Sequence, residues 1–206
     1  MLQEGQVGPQ TLAPGARSIL RQGPSGEMNV GDAHARYQEA VYRGNVYAVA
    51  DQAAVTIPAG LSTAPTTVTL FNPKGNNKLA GVWYGAVTSL VAWTAAAAVW
   101  IAGNRNIAEA APTGTAAAAQ NQMIGNANAA SILAFTTATL AVAPVAIRLL
   151  GAGLTGAITT IPQVHALGGW LDGSIILAPG GNLAFAASTA SGAGAFGCWV
   201  WEEVPI

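Results

Sequence analysis

From residue 45 onward, apolar positions come in short runs rich in Val, Ile, Thr and aromatic residues, broken by Gly, Pro and Asn. That rhythm predicts strands with tight connections. The runs place strands at 46–50, 54–57, 66–71, 79–90, 95–102, 132–142, 145–150, 158–161, 174–177, 183–187 and 196–202. Polar or glycine-rich breaks at 72–78 (NPKGNNK), 103–106 (GNRN) and 179–182 (PGGN) predict turns. The stretch 111–122 is Ala-rich and polar, and reads as a loop or a short helix. Helix also competes for 95–98, although Trp93, Val99, Trp100 and Ile101 beside it favour a strand. The fold class is therefore all-β.

Several runs are apolar at successive positions, as in 80–84 (AGVWY) and 196–201 (FGCWVW). A strand that is apolar on both faces is covered on both faces. One face of a sandwich strand meets the core, so the other is expected to meet a second subunit. Trp199 and Trp201 are the candidate interface residues. No unit of 20–50 residues repeats, which excludes a solenoid or propeller.

The first 44 residues differ in kind. They hold seven Gly, three Pro and five Gln, and residues 1–31 have no sustained apolar period. Leu2, Val7, Leu12, Ile19 and Leu20 recur as isolated apolar anchors, with Arg17 and Arg21 able to reach carboxylates on a neighbour. This composition predicts an extended N-terminal arm that gains order on a partner. A short helix is expected at 32–43, with Asp32 as its N-cap and Gly44 as its stop. The domain reading is arm 1–44 and β-sandwich 45–206.

Charge sharpens the picture. Only eight charged side chains occur in the 155 residues from Gln52 to Ile206, where a soluble domain has roughly a quarter of its residues charged. Such a surface associates unless it is covered by copies of itself, another protein or lipid. Eight basic against nine acidic residues give a net charge of −1, which argues against nucleic acid as a partner. The segments 87–103 and 132–150 are apolar enough to be weighed as membrane spans. Thr, Ser and Ala dilute them, Pro144 and Arg148 interrupt the second, and no Lys/Arg cluster flanks them. The first ten residues lack a basic and an apolar region, so no signal peptide is expected.

Candidate chemistry is sparse. The single cysteine, Cys198, excludes an internal disulfide and a cysteine-based zinc site. It lies in an apolar run with no cation to activate it. The motif 151–156 (GAGLTG) matches G-x-G-x-x-G, and Asp172 stands about 20 residues on. The β-branched, proline-closed AITTIP follows it where a phosphate-binding helix would have to start, so it reads as a glycine-rich turn. His34 lies two residues from Asp32 and His165 has no acidic neighbour, which makes no metal site. Glu202 and Glu203 are adjacent on a strand and point to opposite faces, so they do not form an acid/base pair. The six Trp (83, 93, 100, 170, 199 and 201) suit core and interface packing, with a sugar platform as the alternative. No catalytic residue, metal or cofactor is expected.

The last quarter, 173–203 (GSIILAPGGNLAFAASTASGAGAFGCWVWEE), resembles the closing strands of jelly-roll domains in tailed-phage virion proteins. A PGG turn (179–181) leads into an apolar strand (183–187), then a small-residue loop (188–195), then a terminal strand ending in Trp-Glu (196–203). In outline, an arm followed by a small-residue-rich sandwich is similar to phage decoration, or cement, proteins. The resemblance implies a jelly-roll sandwich without enzyme activity. It further implies a homo-oligomer, commonly a trimer, that clamps the major capsid protein on the virion surface. The arm residues Leu2, Val7, Leu12, Arg17, Ile19, Leu20 and Arg21 are then the candidate capsid contacts. A head-fibre or tail module binding host glycan is the alternative, and an integral membrane protein a second one.

Overall fold

A computed structural model describes residues 37–93, 95–105, 110–153 and 167–206. The chain divides into two units, Met1–Glu39 and Ala40–Ile206, and the strands all lie in the second. The seven arm residues named above, the expected strand at 158–161 and both histidines fall outside the described residues.

Eleven strands are described: β1 Val46–Ala50, β2 Thr69–Phe71, β3 Lys78–Ser89, β4 Ala97–Arg105, β5 Thr113–Ala117, β6 Gln120–Asn121, β7 Leu133–Thr139, β8 Val145–Gly153, β9 Leu167–Leu177, β10 Gly181–Ala187 and β11 Ala195–Pro205. One short helix, α1 Gln38–Tyr42, precedes them. Gly44, at φ 72°, ends that helix as expected, and its N–H donates to Val41 O at 2.9 Å.

The strands form two antiparallel sheets, ordered β6-β1-β11-β3-β9 and β5-β7-β2-β10-β4-β8. The chain alternates between them: β1, β3, β9 and β11 lie in the first, and β2, β4, β8 and β10 in the second. Apolar residues from both inner faces make one core, with Val49, Leu70, Val82, Ile101, Leu183 and Phe185 among its members. The architecture is a β-sandwich.

Three local expectations change. The chain at 103–105 does not turn, because β4 runs on to Arg105 in register with Gly181–Ala187 of β10; residue 106 lies outside the described residues. The stretch 111–122 is neither loop nor helix but β5 and β6, since the rim of each sheet offers a free ladder. The run 54–57 makes only an isolated bridge, Val55 to Ala195. The 179–182 turn is where expected. Ala178 O accepts from Gly181 N at 3.0 Å, Pro179 follows the first corner and Gly180 sits at φ 83°, the type II arrangement.

The largest correction concerns Trp199 and Trp201. Strand β11 alternates strictly, with residues 195, 197, 199, 201 and 203 facing inward. Both Trp side chains have 0% exposure and belong to the core of a single chain, so they are not the subunit interface. An extra residue, Trp83, bulges from β3 opposite Val200/Trp201, which leaves the β11 alternation intact. The outward residues Phe196, Cys198, Val200 and Glu202 are only half-buried.

Candidate functional site

Among the described residues no group of three or more His, Cys, Asp or Glu could hold a metal. Gly151 and Gly153 of the glycine motif are part of extended strand β8, and Asp172 sits on β9 in a left-handed conformation (φ 51°). Burial pushes the Cys198 thiol pKa up, and the nearby Asp51 charge adds to this despite a backbone hydrogen bond from Ala86. A raised thiol is a poor nucleophile.

Glu202 and Glu203 do face opposite ways. Glu203 is 1% exposed. Its Oε2 accepts from Lys78 Nζ at 2.8 Å and from Ser131 Oγ at 2.5 Å, and its Oε1 accepts from the amides of Ser131 (2.7 Å) and Ile132 (2.9 Å). Burial alone raises its pKa, but the Lys78, Ser131 and Ile132 hydrogen bonds outweigh it and hold the carboxyl below the ordinary glutamate value. This is a structural tie between the end of β11 and the segment entering β7. Sequence spacing gave no sign of it because Ser131 lies 72 residues away.

Asn72 is a second such tie. Fully buried, it donates from Nδ2 to Lys78 O and Leu177 O, both at 2.9 Å, and accepts from Asn76 at 2.8 Å. It joins the ends of β2, β3 and β9, so buried backbone carbonyls at that corner are satisfied.

What the surface offers is apolar. On β8, an outer strand of its sheet, Val145, Ile147 and Leu149 are 59%, 51% and 62% exposed. Ile147 is an extra residue in the register against β4, so Val145, opposite Gly103, and Leu149, opposite Trp100, point to opposite faces; Arg148 beside them is also exposed. Of the six Trp, only Trp170 is largely exposed, at 60%. It meets Tyr84 edge-on, ring centroids 5.5 Å apart, on the outer face of the five-stranded sheet.

At the other side of the sandwich a groove of about 920 Å³ opens between β1 and β5. Ala50, Ala53, Val55, Ala116, Ala117 and Ala118 line it, with Gln52, Gln120 and Gln122 also in its wall. β6 pairs with Tyr47 and Ala48 of β1, and Gln122 N donates to Val46 O, so among the described residues no strand pairs with Val49 and Ala50 on that edge. Asp51 is its one charged lining residue, and is 7% exposed. Asp51 Oδ2 accepts from Gly197 N at 2.8 Å, while Oδ1 has no hydrogen-bond partner. Burial pushes the Asp51 pKa up, against the pull of the Gly197 and Val68 amides. The only sign of Asp51 in the sequence is an acid at the end of an apolar strand.

A raised acid pKa has a definite sign. The native state prefers the protonated form, so stability from this group is fullest below the unfolded value, roughly 3.9, and is lost as pH rises through the folded value. Asp51→Asn keeps an acceptor for Gly197 N–H and removes the buried charge. It is expected to stabilise the domain at pH 7 by on the order of 1 kcal/mol. Urea titrations should show its advantage over wild type shrinking as pH falls toward 4.

No protein-family model, curated protein or solved structure matches this chain.

Proposed function

We propose that this chain is a virion structural protein, a capsid cement or decoration protein that binds the major capsid protein and stabilises a phage head. Its work is burial of surface, with no bond-breaking step. The observation that carries the reading is the set of exposed aliphatic side chains on the outer strand β8, in a chain with few charges. Three large aliphatic side chains more than half exposed within five residues mark a surface made to be covered.

The strand order supports the jelly-roll part of the reading. Without the inserted β5–β7, the sheets run β1-β11-β3-β9 and β2-β10-β4-β8. That is eight strands divided four and four between two sheets, the layout of a double Greek key. The expected assembly is a homo-oligomer, with a trimer as the leading state, on the virion surface. The arm residues Leu2, Val7, Leu12, Arg17, Ile19, Leu20 and Arg21 are proposed to attach it to the shell.

The test adds protein lacking residues 1–31 to particles that lack the native protein, and counts bound copies. Retained sandwich structure by circular dichroism with at least tenfold fewer bound copies is the expected result. Binding equal to the full chain removes the arm from the attachment mechanism. A glycan-binding module is the second reading, and it rests on the exposed Trp170 with the half-buried Tyr84 beside it. Trp170→Ala abolishing binding to host-cell glycans, while particle binding persists, would favour it. No helix among the described residues is long and apolar enough to cross a membrane.

A further inference from the structure

We infer that two copies pack face to face through the outer surface of the five-stranded sheet, about a two-fold axis lying across its strands. This gives a surface to the self-association in the proposed function and rests on that part of it. Tyr47, Val49, Val82, Leu171, Trp199 and Trp201 of this sheet point into the core, so the residues between them point out. The pairing registers set these outward residues in rows across four strands. One row is Ala48, Val200, Tyr84 and Trp170. The next is Ala50, Cys198, Ala86 and Gly168.

The first row is a ridge and the second a trough. Trp170 is 60% exposed, and Tyr84 meets it edge-on. In the trough Ala86 is buried at the floor. Gly168 has no room for a side chain, since an added Cβ would collide with Gly85 O.

The two rows make the face complementary to itself. A two-fold axis parallel to the rows and midway between them turns the ridge of one copy onto the trough of the other, with the order along each row kept. Trp170 then seats over the partner's Gly168, Tyr84 over the partner's Ala86 and Val200 over the partner's Cys198. The largest side chains meet the smallest. Sheets stack in aligned pairs about 10 Å apart, and a trough of Ala, Cys and Gly admits aromatic rings at that spacing. An axis parallel to the strands would map each row onto itself, ridge against ridge, and leave the trough unfilled.

Charge agrees with this choice. The flanking rows are Val46, Glu202, Gly81 and Ile176 on one side and Phe196 with Thr88 on the other. Glu202 is the only charged residue in the four rows. The proposed axis brings it over the partner's Phe196, at the rim, still within the field of its own Arg43. An axis along β11 would set Glu202 against its own copy, where like charges repel.

The area suffices. Four strands at about 4.8 Å and four rows at about 6.8 Å give roughly 500 Å² of plan area per copy, and the relief of the side chains brings the accessible area toward the roughly 800 Å² per partner of a standard interface. Such a contact is isologous and closes at two copies. A three-fold contact would use another surface and make six.

The experiment uses the full chain, without particles, in sedimentation equilibrium and in alkylation of Cys198 by N-ethylmaleimide. Wild type is expected to be an even-numbered species at micromolar concentration, a dimer or a hexamer. Its single thiol, under the partner's Val200, should react more slowly as protein concentration rises. Trp170→Ala removes the anchor of the ridge and should weaken the pairing at least tenfold, as loss of a central interface Trp does. Ala50→Arg, at an exposed end of the trough, should do the same. Val200→Lys replaces either variant should it misfold by circular dichroism. Leu149→Asp, on β8, should leave the pairing unchanged.

A monomeric or trimeric wild type, a thiol rate independent of concentration, or a folded Trp170→Ala that pairs like wild type each overturns the inference. Particle binding is read separately. Absence of capsid binding with the pair intact counts against the proposed function, and loss of the pair alone counts against this contact.

Discussion

Glu203→Ala is expected to destabilise the sandwich by about 3–5 kcal/mol, the usual cost of stripping one partner from a buried ion pair. The carboxylate has 0% side-chain exposure, and its removal orphans the Lys78 ammonium, the Ser131 hydroxyl and the Ser131 and Ile132 amides together. At about 2–4 °C per kcal/mol for a domain of this size, the melting temperature falls by on the order of 10 °C. Lys78→Ala should cost less, because the lysine side chain is 32% exposed and water can screen the contact.

The pH dependence follows from the same network. The folded-state pKa of Glu203 lies below its ordinary value, so its stabilisation is present above the unfolded value, roughly 4.3, and is lost as pH falls through the folded value. Denaturant titrations of wild type and Glu203→Ala should therefore converge under acid conditions. Curves that stay parallel from pH 7 to pH 3 would show that Glu203 contributes through packing and not through its charge.

Trp199→Ala is expected to cost a similar amount, about 3–5 kcal/mol, for a different reason. The indole has 0% exposure and stacks on Phe185 at 4.1 Å with 8° between the rings. Its Nε1–H donates to Val68 O at 2.9 Å, across to the other sheet. On its own sheet the ring lies over Gly85, where an added Cβ would come within 2.5 Å of Cζ3. The ring occupies the space that the glycine leaves free.

That geometry makes a strong coupling. Gly85→Ala alone should destabilise by about 1–3 kcal/mol through overpacking. In the Trp199→Ala background the same change should be close to neutral, because the added methyl enters the vacated space. Chemical denaturation of the four proteins in this cycle measures it. Additive effects would mean that Trp199 moves aside at little cost. An acid at Trp199 is accordingly expected to unfold the domain, not to dissociate an oligomer.

The sequence by itself determined the all-β class, most strand positions and the tight reversal at 179–182. Runs of β-branched and aromatic residues between Gly, Pro and Asn are local signals, and backbone preferences act locally. It also determined the scarcity of charge, which is a property of composition. What it left open was which face of each strand looks inward. In 196–201 both faces are apolar, so periodicity could not tell that Trp199 and Trp201 fill the core while Cys198 and Val200 look out. Only pairing with β1 and β3, and the second sheet lying against one face, decided that.

The same limit hid the groove and the Glu203 network. Strands β5 and β6 hold Ala, Gly, Gln and Asn beside two Thr, a mixture with little preference for a strand, and they are held by the sheet rims they join. Asp51 and the β5 wall lie more than 60 residues apart in the chain. Contacts at that separation are set when the two sheets pack, so their meeting was decided by the tertiary structure alone.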